Sequence, residues 1–319
     1  MHSVDWLLEP DVDPSIRWQA MRDLTEASPG EIAAERARVA RVGLGAAILA
    51  AQHEDGAWRR GESPAWLTTL FTLQLLRSTG VDPEDAAVRA ALVRAETNLR
   101  WSDYENCWDV RSPEFGGNPF FEGEEEPCIN GGVLAFGAYF GHPNERLARR
   151  LLSEQLEDGG WNCEAPKMSR VSSFHTTICV LEGLLEYERA AGAVPALVPQ
   201  VKAARRRGEE YLLERRLFRR RSTGEVIDPA FLTFGFPSRY AYDVLRAMDS
   251  FRAAGSLPDS RMAEAIAVVE QRRQADGRWL LDRSHNEAIA VELGEAVGEP
   301  SRWITLRALR VLQWWEKHS

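Results

Sequence analysis

The chain has 319 residues, of which 44% are hydrophobic and 27% are charged, a composition typical of an ordered globular protein. Its formal net charge of -9 argues against a general nucleic-acid binder and against a protein held on anionic lipid by charge. No apolar run reaches the roughly 18–20 residues that cross a bilayer.

The periodicity of apolar residues predicts two alternating kinds of helix. After a short first pair at 4–8 and 14–24, arginine-rich amphipathic helices are predicted at about 31–52, 84–99, 144–157, 196–217 and 258–274. More uniformly apolar helices are predicted between them, at about 63–78, 128–140, 173–189, 238–254 and 301–316. Pro or Ser near the first turn marks the start of several apolar helices.

Tryptophan marks a repeat along the chain. Asp-Gly-x-Trp occurs at 55–58, 158–161 and 276–279, each time after an amphipathic helix that ends in Gln. Glycine in the left-handed conformation stops a helix, so we predict an architectural role in which each Trp fills the gap between neighbouring helical pairs. Ligand binding by these tryptophans is the alternative.

The repeat period predicts the architecture. Helical pairs recurring every 50–65 residues or so indicate a repeat array, and helices that are apolar on most faces must be covered on most faces. We therefore predict an all-α fold, an (α/α)6 toroid with six inner and six outer helices around a central cavity. It is expected to form one domain over residues 1–319.

The Gln-x-x-Asp-Gly-x-Trp string resembles the repeat of the terpenoid cyclase and protein prenyltransferase superfamily, the α/α toroids. The chain is also similar to small bacterial proteins described as squalene-cyclase-like or prenyltransferase-like. The resemblance implies a hydrophobic, isoprenoid-like small-molecule substrate. The Asp-x-Asp-Asp motif with which squalene–hopene-type cyclases protonate an alkene is absent, and the nearest string is Asp11-Val12-Asp13-Pro14.

A second part of the resemblance implies zinc. Prenyltransferase β-subunits hold zinc with Asp-x-Cys at the start of one inner helix and His at the start of a later one. Glu126-Pro127-Cys128 and His175 occur here in that order, which implies Glu126, Cys128 and His175 as ligands. Cys163, in the loop before the helix of His175, is a candidate fourth ligand that would close the site.

The residues also argue for a metal without the family. Cys128 and His175 lie near the starts of apolar helices, and the starts of inner helices converge at one end of a ring. A helix N-terminus favours thiolate, and thiolate, imidazole and carboxylate form a plausible zinc set with one position left for water or a substrate thiol. The alternative is that both side chains only pack. With four cysteines and no visible export signal, we expect reduced thiols and a cytoplasmic protein.

An acidic run precedes the Cys128 helix. The prenyltransferases place Arg and Lys for a diphosphate in this stretch, but residues 118–126 contain four carboxylates and no basic residue. The run is either a solvated loop or a source of a carboxylic acid with a raised pKa, with Glu125 or Glu126 as the acid. Asp243 is a second candidate acid.

Aromatic residues near the predicted helix starts are candidates for an apolar substrate cavity. They are Trp66, Phe120, Phe121, Phe174, Tyr240 and Trp303. The long loop at 102–126 is predicted to cover the end of the ring where Cys128 and His175 converge. The alternative is that most of these rings simply pack.

Two functions from different classes follow. The first is a zinc-dependent enzyme, prenyltransferase-like or cyclase-like, acting on a hydrophobic small molecule. The second is a non-catalytic toroid that binds an apolar ligand or a partner peptide and holds zinc for structure. Cyclisation started by a carboxylic acid is a third possibility, and the oligomeric state stays open.

Overall fold

The computed structural model describes residues 3–101, 117–285 and 287–318. Within these ranges the chain forms α-helices, short 3-10 turns and isolated bridges, and no β-sheet. Inner helices with extensive buried faces follow one another around the ring: α2 (Pro14–Leu24), α5 (Ala65–Thr79), α7 (Pro127–Tyr139), α9 (Phe174–Arg189), α11 (Val244–Ala253) and α13 (Arg302–His318).

The outer layer alternates with the inner one along the chain. Its helices are α1 (Ser3–Leu7), α3 (Pro29–Arg38) with α4 (Gly43–Ala50), α6 (Ala86–Asn98), α8 (Glu145–Ser153), α10 (Val198–Leu213) and α12 (Ala263–Gln271). Each outer helix or pair is followed by the inner helix of its own pair, so the predicted all-α toroid of six pairs is confirmed for the described residues. None of the described helices is both long and apolar enough to cross a membrane.

The ring closes where the two ends of the chain meet. α13 packs on both α1 and α2. The Arg302 guanidinium lies 2.8 Å from the Glu9 carboxylate, and Ser3 Oγ donates to the Gly277 carbonyl at 2.6 Å. These polar contacts join segments that lie at opposite ends of the sequence.

The three Asp-Gly-x-Trp strings make the same set of contacts around their tryptophans, and we call each set a clamp. The indoles of Trp58, Trp161 and Trp279 are fully buried, and each Nε1–H donates at 2.7 Å to a carbonyl in the last turns of the preceding outer helix. The backbone N–H of each Trp donates to a Thr hydroxyl on the following inner helix, at 3.0–3.1 Å. The architectural role predicted for these tryptophans therefore fits their contacts in detail.

Glutamine links the clamp to the next pair. Gln52 Nε2 donates to the Gly56 carbonyl at 3.0 Å and to the Ala91 carbonyl of α6 at 2.8 Å. Gln155 makes the corresponding two bonds in the second repeat. In the third repeat α12 ends at Gln271, as the sequence predicts. The position three residues before Asp276 holds Arg273, whose guanidinium lies 5.5 Å from the Trp279 ring centroid.

Two predicted helices differ in their limits. The outer helix expected at 31–52 breaks at 39–42, because Gly43 takes a φ of +74° and the Leu44 N–H is capped by Asp13 Oδ2 at 2.6 Å. The inner helix expected from 238 begins only at Val244, since Arg239 has a φ of +47° and Asp243 caps the helix by accepting the Arg246 N–H at 2.8 Å.

Replacing a clamp tryptophan by Ala is expected to lower the free energy of unfolding far more than replacing a half-buried tryptophan outside the clamps. Trp161→Ala should lower the free energy of unfolding by about 3–5 kcal/mol, because it opens a large cavity and leaves the Leu151 carbonyl without its donor. Urea unfolding followed by circular dichroism measures this. Trp315→Ala, at a half-buried position of α13, is the matched control. Equal losses in the two variants would contradict the clamp.

Candidate functional site

Two thiols and a carboxylate converge at the end of the ring where the inner helices begin. The ligand atoms of Glu126, Cys128 and Cys163 all lie within 4.8 Å of one another. Glu126 immediately precedes α7, Cys128 is the second residue of that helix, and its Sγ donates to Glu126 Oε2 at 3.5 Å. This group, named here the sulfur site, is the one set of at least three such side chains that converges in the described ranges.

The clamp places Cys163. Trp161 is fixed by its indole and by its bond to the Thr177 hydroxyl, so the chain two residues later starts beside the first turn of α9. There Cys163 Sγ lies 3.4 Å from the hydroxyl oxygen of Thr176. The loop is held at its far side by Lys167, whose Nζ lies 3.6 Å from Glu125 Oε1.

Glu124 and Asn130 shape the other half of the sulfur site, and the sequence reasoning did not single them out. The Glu124 carboxylate, only 1% exposed, accepts the backbone N–H groups of Glu125 and Glu126 at 2.6 Å each. Asn130 pairs with the Glu124 backbone by accepting at 2.8 Å and donating at 2.7 Å. Asn130 was the available signal, since it is a lone amide in the first turns of an apolar helix.

The thiol of Cys128 is more firmly protonated than the sequence predicts. A hydrogen bond with Cys163 and burial, together with nearby negative charge including that of Glu126, raise the pKa of Cys128 well above its ordinary value. The helix start therefore does not lower the pKa of Cys128 as the sequence predicts. A divalent cation held by these side chains would reverse this balance, because it would stabilise the thiolates that otherwise repel one another.

His175 does not join the sulfur site. Its Nδ1 accepts the Tyr242 backbone N–H at 2.9 Å, and its ring packs edge-on against Phe231 at 5.5 Å. Burial and the charge of Arg246 lower its pKa, which favours the neutral imidazole. A neutral ring that accepts at Nδ1 carries its proton on Nε2, so neither nitrogen offers a lone pair to a metal. His175 is therefore not among the three side chains whose ligand atoms converge at the sulfur site.

The other candidate acids are held in structural contacts. Asp243 caps α11 and also accepts the Gly235 N–H at 3.4 Å, and burial raises the pKa of its carboxyl. Glu125 is half-buried beside Lys167. Neither residue lines a described cavity, so a proton-donating role for either remains a prediction.

The aromatic residues predicted to line an apolar cavity mostly fill the core. Trp66, Phe120, Phe121 and Phe174 are buried, and Phe120 stacks on Trp101 at 4.7 Å. Of the six candidates only Trp303 lines a described cavity, and Tyr240 is 50% exposed. Phe121 packs against Phe120 and Phe136, so these rings do not cover the end of the ring as predicted for the loop at 102–126. Residues 102–116 of that loop lie outside the described part of the chain.

The larger described cavity is strongly charged, unlike the apolar cavity that the sequence predicts. It has a volume of about 620 Å³ and opens in the half of the ring towards the C-terminal ends of α5, α7 and α9. Its walls carry eight arginines and three carboxylates. A second space of about 60 Å³ adjoins it and shares Arg77, Glu182, Arg246 and Arg307. We call the larger space the arginine cavity.

Ion pairs organise one side of the arginine cavity. Arg246 Nε donates to Glu182 Oε1 at 2.8 Å, and Arg77 lies 3.1 Å from the same carboxylate. Arg310 Nε donates to Asp249 Oδ1 at 2.7 Å. Burial works to raise the pKa of Asp249, but the charges of Arg310 and Arg252 outweigh it and hold that pKa well below its usual range.

Comparisons with known proteins leave the family open. No protein-family model matches the chain, and no curated protein matches it. A solved structure of the type II terpene cyclase MstE from Scytonema, in its apo form, is similar at 16% identity and a TM-score of 0.32. The match covers 84% of this chain and 94% of that one. A likeness at this level says nothing about the chemistry of this chain.

Stability should depend on pH through Asp249. Its carboxylate is ionised at lower pH in the folded than in the unfolded protein, so its contribution is complete at neutral pH and is lost as pH falls below about 4. Asp249→Asn should lower the free energy of unfolding by about 3 kcal/mol at pH 7. The difference from the wild type should shrink in urea titrations towards pH 3.

The control for this experiment is Asp11→Asn, which removes an exposed carboxylate. It should change stability little at either pH. A difference between Asp249→Asn and the wild type that stays constant down to pH 3 would show that charge pairing at Asp249 is not what stabilises the fold.

Proposed function

We propose that this protein is a zinc-binding toroid that acts on an apolar small molecule at the sulfur site. Glu126, Cys128 and Cys163 are the ligands, and the ion is the functional centre. The proposal is carried by the convergence of these three donors, from the start of α7 and from the loop before α9, within 4.8 Å of one another. In this proposal the protein is a cyclase-like or prenyltransferase-like enzyme whose reaction takes place at one end of the ring.

The donor set suits zinc. Two thiolates and a carboxylate form a borderline-soft set, which zinc accepts and magnesium or calcium does not. Sulfur bonds of about 2.3 Å in a tetrahedron separate neighbouring ligand atoms by about 3.8 Å. The Sγ of Cys128 and the Oε2 of Glu126 are 3.5 Å apart. When bound, zinc with three protein ligands supplies a Lewis acid with a fourth position for water or a substrate thiol.

Neighbouring residues hold the three proposed ligands in position. Glu124 and Asn130 hold the backbone before α7, so Glu126 and Cys128 keep a fixed separation. Thr176 contacts Cys163 and orients its sulfur. Outer contacts of this kind orient metal ligands in proteins generally.

Exposed apolar side chains at the same end support an apolar substrate. Met168 and Val171 are 84% and 61% exposed, and they belong to the loop that begins at Cys163. Tyr240 is half exposed, and its ring lies 6.4 Å from that of His175 at the start of α9. An apolar molecule that covers these side chains would lie beside the sulfur site.

One observation favours a second candidate, the non-catalytic toroid. Neither described cavity is lined by Glu126, Cys128 or Cys163. In that case the ion ties the start of α7 to the loop before α9 and serves structure alone. The two candidates differ in whether the fourth position exchanges with small molecules.

Zinc content tests the ligand set. Full-length protein purified without added zinc should contain about one equivalent of the metal. Cys128→Ser and Cys163→Ser should each lose most of it, while Cys179→Ser and His175→Gln should retain it. Mass spectrometry of the metal content measures this. Loss of zinc in His175→Gln with retention in Cys163→Ser would show the ligand set to be wrong.

Cobalt substitution separates the two candidates. Co²⁺ in the sulfur site should show thiolate charge-transfer absorption and the visible bands of a tetrahedral ion. Adding a small thiol should change the visible bands if the fourth position is exchangeable. Bands that do not respond would contradict the catalytic proposal and favour a structural ion.

A further inference from the structure

The arginine cavity gathers positive charge in an acidic protein. The chain has a net charge of -9, yet the walls of this space carry eight arginines against three carboxylates, an excess of five positive charges. We propose that the arginine cavity is a binding site for a small multivalent oxyanion, a phosphorylated or polycarboxylate molecule. This site is separate from the sulfur site and does not depend on zinc.

Three of the eight arginines have no carboxylate within 4.0 Å among the described residues. They are Arg36, Arg189 and Arg307, whereas the other five each have at least one acidic partner. Arg36 donates to the Gly80 carbonyl at 2.8 Å and to the Tyr139 hydroxyl at 3.1 Å, and Arg189 donates to the Ala253 carbonyl. Neutral acceptors position these guanidinium groups but leave their charge uncompensated.

Of these three arginines, Arg307 has among the fewest polar contacts. Its guanidinium makes one hydrogen bond, from Nη1 to the Ser238 hydroxyl at 3.0 Å, and lies 5.0 Å from the Phe236 ring centroid. The remaining N–H groups of this cavity-lining side chain make no hydrogen bond within the described protein. Burial lowers the pKa of Arg307. The charge of Asp249 opposes this shift, while that of Arg310 adds to it. Arg307 is half-buried. Partial desolvation of a cation that makes no ion pair is costly, and a bound anion offsets that cost.

Arginine also suits the geometry of such a ligand. A guanidinium presents N–H groups in a planar fork that matches two oxygens of a phosphate or a carboxylate. Arg36 and Arg307, from α3 and α13, approach the space from the outer and inner layers of the ring. Several forks around one cavity recognise more than one anionic group at once.

The size of the cavity limits the ligand to a small molecule. Its volume of about 620 Å³ lies in the range of pockets for metabolite-sized ligands. Trp18, Leu185, Trp303 and Leu306 form apolar parts of the wall beside the arginines. The ligand therefore combines anionic groups with an organic body.

The arginine cavity and the sulfur site lie at opposite ends of α7. Cys128 is the second residue of this helix, while Tyr139, which lines the cavity, is the last. Eleven residues of helix separate them by about 16 Å along the axis. No residue is shared by the two sites, so each can be tested without the other.

Calorimetric titration of the full-length protein with inorganic pyrophosphate and with citrate tests the proposal. We expect one of them to bind in a 1:1 ratio, at least tenfold more weakly to Arg307→Gln, and with unchanged affinity to Arg89→Gln. Arg89 is an exposed arginine on α6, away from the cavity. Tighter binding of pyrophosphate identifies a phosphorylated ligand, and tighter binding of citrate a polycarboxylate.

Stability without ligand provides the second readout. Because Arg307 lacks an acidic partner, Arg307→Gln should unfold at the same temperature as the wild type or higher, and lose the stabilisation by the bound anion. If Arg307→Gln does not fold, Arg189→Gln takes its place in both measurements. Absence of binding by both anions, or equal affinity in the wild type and the cavity variants, would overturn the proposal.

Discussion

The fold depends on one repeated contact, the tryptophan that joins an outer helix to the next inner helix. The indole N–H satisfies a carbonyl near the end of the outer helix, and the backbone N–H of the same residue binds a threonine on the inner helix. Burial of the large ring makes this joint rigid. The same geometry at Trp58, Trp161 and Trp279 aligns the starts of three inner helices, and the remaining pairs pack between them.

A closed ring of helices divides its interior into two environments. Towards the helix starts, aromatic rings such as Phe174, Phe231 and Tyr242 pack closely, with ring centroids 4.8–5.1 Å apart. The thiols of Cys128 and Cys163 lie at this end. Towards the other end, arginines and carboxylates line an open cavity. Charged groups are tolerated there because most are paired, and the unpaired ones mark the place for an anion. The proposed zinc and oxyanion sites thus occupy environments of opposite character.

The sequence predicts the architecture well because its signals are local and repeated. Asp-Gly-x-Trp, the periodicity of apolar residues and the spacing of the pairs each report short-range geometry, and they agree with one another. The exceptions come from two capping side chains: Asp13 reaches from the first pair to cap α4, and Asp243 caps a late start of α11. Neither contact is visible in the periodicity of its own helix.

The sites depend on distances between remote segments, which spacing alone does not determine. Cys163, a candidate fourth ligand in the sequence, converges with Cys128 and Glu126, whereas His175 accepts the Tyr242 N–H. The arginine cavity is charged because Arg246, Arg307 and their neighbours turn inward from different helices, while the aromatic rings pack on each other. Arginines spread over many helices do not form a motif.

The most direct test of the account is a crystal structure of the protein purified with zinc, with diffraction recorded at the zinc absorption edge. The account predicts one strong anomalous peak among the side chains of Glu126, Cys128 and Cys163, with His175 still accepting the Tyr242 N–H. A peak bonded to His175, or the absence of any peak near the two cysteines, would contradict it.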